Sequence, residues 1–168
     1  VVLVPAAVSN MTVDRWVGDL KQMVRQTLGG VATARLTVTH VMWHQGEADA
    51  ARGTREDEYR SHFLAFVESL QALNVKAPVY VSVATKCLLA GRHVEGNPIA
   101  RAQIALASAP DNLRPGINSD QLLGATDRFD GCGRDKLSLN SATGSTSLPR
   151  SVLCALFPTR RPKSQQSY

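Results

Sequence analysis

Three cysteines, Cys87, Cys132 and Cys154, are too few for a disulfide scaffold, and no pair has metal-ligand spacing. Aromatic residues make up 5% of the chain and do not interleave regularly with basic ones, which leaves no stacking platform for nucleic acid. No apolar run approaches the roughly 20 residues that span a bilayer. Neither nucleic acid nor a membrane is therefore an expected partner. The opening VVLVPAAV has no basic region before it and no small-residue cleavage site after it. It reads as a buried strand rather than a signal peptide. Histidine is scarce: His40, His44, His62 and His93 are the full set, so the last 75 residues have no imidazole to use.

What is present suits one soluble domain. A chain of 168 residues with 43% hydrophobic and 20% charged content can bury a real core. The net charge of +5 sits in the tail, where residues 133–168 hold Arg134, Lys136, Arg150, Arg160, Arg161 and Lys163 against Asp135 alone. That tail is also rich in serine and carries Pro149, Pro158 and Pro162, with SVLCALF as its one apolar run. Such a composition predicts disorder. The reading divides the chain into a domain over 1–132 and a divergent, disordered basic tail over 133–168.

Before the tail, strand and helix patterns alternate. Val1 to Val8, Leu36 to Trp43 and Pro78 to Ala84 read as Val-rich strands. Asp14 to Leu28 reads as a helix stopped by Gly29-Gly30. Arg55 to Leu73 has Tyr59, Phe63, Phe66, Leu70 and Leu73 at steps of three and four, which makes one apolar stripe. Pro98 to Ser108 is a third helix with proline in its first turn, and Gln121 to Ala125 reads as a last short strand. Repeated β-α-β-α predicts a mainly parallel sheet flanked by helices.

The chemistry concentrates in VMWHQGEADA, Val41 to Ala50. A short apolar run ends in Trp43, and His44, Gln45, Gly46, Glu47 and Asp49 follow where a strand gives way to a loop. In open α/β sheets, ligands bind outside the carboxyl ends of the strands. Gly46 permits a close approach or an unusual turn. A loop whose polar groups satisfy only backbone is the plain alternative, and spacing alone does not separate the two.

WHQGEADA resembles the signature of the sialate O-acetylesterase and acetylxylan esterase group (carbohydrate esterase family six) within the SGNH hydrolases. VPAAV at Val4 to Val8 with TVDRW at Thr12 to Trp16, NPIARAQ at Asn97 to Gln103, and DRFDGC at Asp127 to Cys132 resemble further blocks of the group in the same order. The resemblance covers residues 1 to about 132. It implies an α/β fold of the three-layer α/β/α SGNH type, truncated at the N-terminus. It also implies hydrolysis of O-acetyl esters on carbohydrates, without metal or organic cofactor. In that group a serine attacks the ester carbonyl, a histidine takes its proton and an aspartate orients the histidine. Backbone N–H groups and a side-chain amide hold the oxyanion, each donor being worth about 10²–10³ in rate.

Carried onto this chain, Gln45 is the expected oxyanion donor and Asp130 the triad aspartate. Trp43, His44, Gly46 and Glu47 are expected to face substrate. Three departures stand out. The serine turn would precede the VPAAV block, so it is expected upstream of Val1. The glycine pair of the second block is replaced by Ser9 and Asn10. The histidine of the Asp-x-x-His block is replaced by Gly133. The expectation is a carbohydrate O-acetylesterase lineage with little activity in these 168 residues, or a non-catalytic carbohydrate-binding relic of it. Acetylated carbohydrate is the expected partner. Trp16 reads as core. The plain reading of Glu47 is an ion pair with Arg101. Cys87 and Cys132 fall near one sheet edge on this reading. A disulfide between them and two separate thiols both fit the sequence.

Overall fold

A computed structural model of the chain describes residues 1–85, 96–109, 112–121 and the backbone of 154–160. The elements run β1 (Val4–Ala6), α1 (Val13–Val17), α2 (Lys21–Thr33), β2 (Leu36–Trp43), α3 (Glu47–Arg52), α4 (Glu56–Ala72), β3 (Val79–Val83), α5 (Pro98–Ala107), β4 (Leu113–Asn118) and β5 (Cys154–Arg160). A single 3-10 turn, Ser119–Gln121, follows β4. The fold is α/β. β2, β3 and β4 pair in parallel, and helices pack on the sheet. Among the described residues, no helix is long and apolar enough to cross a membrane.

The apolar patterns explain most of the elements. α4 buries Tyr59, Phe63, Phe66, Val67 and Leu70, the stripe that its spacing predicts. β2 alternates, with Val41 and Trp43 fully buried while His40 is exposed and Met42 half-buried. On that second face His40 stacks on Tyr80 of β3, with ring centroids 5.6 Å apart. On the first face Trp16 of α1 and Trp43 meet edge-on at 5.4 Å, and Phe63 and Phe66 lie 5.4 Å and 4.8 Å from Trp43. Trp16 is core, 1% exposed. One cluster joins α1, α2, α4 and α5 to β2 and β3.

Several elements differ from the sequence reading. The helix expected over 14–28 is two helices, because the chain turns at Gly18, whose N–H donates to Asp14 O at 3.1 Å and whose C=O accepts from Lys21 N at 3.1 Å. α2 then runs through Gly29-Gly30 to Thr33. Both glycines have open space around them, and glycine inside a helix costs about 1 kcal/mol without stopping it. β4 went unread because Pro115 and Gly116 look like a turn. It is an edge strand, where proline is tolerated, and a Cβ on Gly116 would lie 2.8 Å from Ser82 Oγ. Gln121 closes the 3-10 turn, and residues 122–125 of the expected last strand lie outside the described residues.

The tail is the largest difference. The sheet order is β1-β5-β2-β3-β4, and β5 is antiparallel to both β1 and β2. Cys154–Arg160 forms this strand, and the rest of 133–168 lies outside the described residues. Two parallel strands one strand-width apart leave two rows of unpaired backbone groups, and an extended apolar segment satisfies both at once. Pro158 falls opposite Val38, next to a register shift between Val38 and His40.

Because β1 through β4 all point one way, Ala6, Trp43, Val83 and Asn118 end on one edge of the sheet. The functional residues gather just beyond those ends.

Candidate active site

The loop after β2 is held by its own backbone. Gln45 O accepts from Tyr59 Oη at 3.0 Å and from Gln103 Nε2 of α5 at 2.5 Å. Tyr59 Oη in turn accepts from Trp43 Nε1 at 3.0 Å, and burial pushes its phenol far up, so it stays a donor. Gln103 Oε1 accepts from Ala84 N at 3.0 Å, which ties the loop to the end of β3. Gly46 sits in this knot. A Cβ there would meet Gln103 Nε2 and would lie 2.5 Å from the Ala84 carbonyl oxygen. Gly46 is therefore needed for the close approach of the loop to Ala84 and Gln103.

The Gln45 side chain is 1% exposed. Its Nε2 donates to Met11 O at 3.0 Å and to Asp49 Oδ2, so its two N–H donors are engaged inside the protein. Its Oε1 is buried without a partner among the described residues. Asp49 Oδ2 also accepts from Val13 N at 3.0 Å, at the start of α1. Burial pushes the Asp49 carboxyl up, against the hydrogen bonds from Gln45 and Thr54 that pull it down. Gln45 and Asp49 thereby fix the chain between Met11 and Val13 against the motif loop.

That chain is the second block. Asn10, expected from the resemblance to replace a glycine, holds φ +59°. This is the left-handed region that asparagine tolerates better than most residues, so the substitution keeps a glycine-like backbone. Arg52 Nη2 reaches Asn10 O at 3.4 Å and Arg52 Nη1 reaches Thr12 Oγ1 at 3.3 Å. Ser9 is half-buried beside it.

Trp43, expected to face substrate, is corrected by its 0% exposure. The parity that buries Val41 also turns Trp43 under α1 and α4, where no solute reaches. The expected contacts that remain are His44 and Glu47, both half-buried. His44 Nε2 lies 3.1 Å from Ser119 Oγ, and burial lowers the proton affinity of the ring. Glu47 does not pair with Arg101, whose guanidinium binds Glu56 at 3.0 Å and Gly96 O at 2.6 Å. Burial, reinforced by the charges of Asp120 and Asp49, raises the Glu47 carboxyl from 4.5 to about 7.

Sequence reasoning missed the far side of the edge. Asp120 accepts from Thr85 N at 2.8 Å and from Thr85 Oγ1 at 2.5 Å. Thr85 Oγ1 accepts from Asn97 Nδ2 at 2.7 Å, and Asn97 Oδ1 caps α5 through Ile99 N and Ala100 N at 3.0 Å each. Asn97 and Gln103 thus explain the spacing of their block, since one caps the helix and the other reaches back to Gln45. Ser119 and Asp120 had no local signal beyond following a strand that was itself unread. Cys87, Asp127, Asp130, Cys132 and Gly133 lie outside the described residues, as does His93. Among the described residues, no group of three or more His, Cys, Asp or Glu is placed to hold a metal.

The raised Glu47 carboxyl makes stability depend on pH. The folded state holds the proton more tightly than the unfolded chain, so this contribution is full below about 4.5, declines up to about 7 and is flat above. Glu47→Gln is expected to remove the decline, making the variant more stable than the parent at pH 8 by up to about 3 kcal/mol and nearly equal at pH 4. Urea midpoints of both proteins at the two pH values measure this. A constant difference across pH would contradict it.

No curated protein matches the chain, and no solved structure does. A family model described as carbohydrate esterase, sialic acid-specific acetylesterase, matches residues 1–109, more than half of the sequence and all of β1 through α5. With that match and a motif loop that ends β2 on the ligand-binding edge of an α/β sheet, this chain belongs to the sialic acid-specific acetylesterase family of carbohydrate esterases.

Proposed function

We propose that this chain is a carbohydrate O-acetylesterase-type protein whose strand-end edge takes O-acetylated sialic acid or acetylated xylan-like glycans, and that these 168 residues do not sustain turnover by the serine–histidine relay. The observation that carries the reading is the convergence of His44, Glu47, Thr85, Ser119 and Asp120 at the carboxyl ends of β2, β3 and β4, in a chain of this family. His44 and Glu47 offer a sugar hydroxyl or acetyl carbonyl their hydrogen bonds. Asp130 is the proposed triad carboxylate, but Gly133 has no ring for it to orient. Gln45 acts on the oxyanion mainly by holding the second block in place, since its amide N–H groups are engaged.

Steady-state hydrolysis of p-nitrophenyl acetate and of acetylated xylo-oligosaccharide is the test. Turnover no greater than that of Gln45→Ala is expected, and turnover well above that control would overturn the reading. The half-buried His44 and Glu47, retained without a relay histidine, favour a second reading, a carbohydrate-binding relic. Saturable calorimetric binding of the acetylated sugar without release of acetate separates it from an inert remnant.

A further inference from the structure

β2 and β4 are separated by β3, yet their first residues beyond the sheet meet. His44 Nε2 lies 3.1 Å from Ser119 Oγ, and the same hydroxyl lies 2.9 Å from Val83 O at the end of β3. One serine therefore touches the ends of three strands, and the family resemblance gives it no role.

We propose that Ser119 is an acyl acceptor activated by His44, taking an acetyl group from acetate esters at this edge. Nucleophile and base are already within hydrogen-bond reach. Nε2 is the ring nitrogen that faces the Ser119 hydroxyl. In the proposed step the neutral ring carries its proton on Nδ1, so that the Nε2 lone pair faces the hydroxyl. Burial keeps the ring neutral and thus able to act as a base. The Asp120 carboxylate, anchored by Thr85, favours the imidazolium through its charge as it forms.

The serine proton has two acceptors, Val83 O and His44 Nε2, and rotation about Cβ–Oγ moves it from one to the other. Oγ then attacks the acetyl carbonyl carbon as its proton passes to Nε2. The ester C–O bond breaks, and His44 returns the proton to the departing alkoxide. The products are acetyl-Ser119 and a free alcohol, with no other reactant consumed. Deacylation needs His44 to activate a water in the place the alkoxide has left, and it is the slower step.

The proposal rests on the ester-handling reading only for its choice of acyl donor. The experiment mixes the full 168-residue chain with p-nitrophenyl acetate and follows the first turnover. A burst of about one nitrophenolate per chain is expected, then a slow phase. Peptide mass mapping should place the acetyl group on Ser119. Ser119→Ala should abolish the burst, and His44→Gln should slow it by about 10²-fold. Because Ser119→Ala also cuts the tie to Val83, Ser119→Cys serves as the second variant and should accept the acetyl group as a thioester while His44 is present. An unchanged burst in Ser119→Ala, acetyl on another residue, or no acylation of the folded chain would overturn the proposal. Acylation of Ser119 without any sugar binding would instead sink the carbohydrate reading and leave this one standing.

Discussion

Gly46→Ala is expected to cost about 3 kcal/mol, more than any other single-methyl change in the motif loop. The added Cβ would meet Gln103 Nε2 and the Ala84 carbonyl oxygen. The amide end of Gln103 can swing away, but it would then drop its bonds to Gln45 O, Tyr59 Oη and Ala84 N. The Ala84 oxygen belongs to the backbone just past β3 and cannot move without shifting the strand. Trimming the flexible partner therefore gives no relief. Gln103→Ala combined with Gly46→Ala should be less stable than Gly46→Ala alone, because the backbone clash persists and three hydrogen bonds are gone. Urea midpoints for the parent and the two variants measure this. A loss below about 0.5 kcal/mol for Gly46→Ala would mean that the loop and β3 do not approach as described, since surface changes fall in that range.

The parts of this fold that were legible are those coded by neighbours in sequence. β2 was read to its exact ends because the β-branched Thr37, Val38, Thr39 and Val41 fall between Leu36 and the polar loop at His44. α4 was read to within a residue because its stripe repeats over 17 residues. Pro98 announced α5 as a first-turn proline. What could not be read depends on distant partners. β5 is a strand because β1 and β2 leave a slot for it, and nothing within residues 154–160 reports that slot. Gly116 lies in a strand because Ser82 needs its missing side chain.

The same division holds at the site. The motif loop was found because its residues are consecutive. Ser119 and Asp120 reach it across 75 residues or so of chain, through the parallel registration of β2, β3 and β4. Asp49 was visible in the motif, but its work, holding Val13 N–H and the Gln45 amide, needs the fold to be seen. Trp43 is different, because the signal for its true place was present. It has the parity of Val41, and in a strand with one face toward the helices that parity buries both. Proximity to polar neighbours outweighed the two-residue period, and the period was right.

Trp43 also gives the second large effect. Trp43→Ala should destabilise the protein by about 3–5 kcal/mol, the usual range for removing a buried aromatic side chain. The ring packs against Trp16, Phe63 and Phe66, and its N–H donates to Tyr59 Oη. Tyr59 holds Gln45 O, so the loss also loosens the motif loop from beneath. Trp43→Phe should cost less, because the aromatic cluster largely survives and Tyr59 keeps its bond to Gln45 O. A sugar platform and a core residue predict opposite patterns in binding. If Trp43 stacked on substrate, affinity would fall even in molecules that remain folded. As a core residue, Trp43→Phe should keep the parent's affinity for acetylated sugar while its thermal midpoint drops. Calorimetric titration beside thermal melts of the same samples decides between them, and a Trp43→Phe variant that keeps its melting temperature but loses binding would return Trp43 to the site.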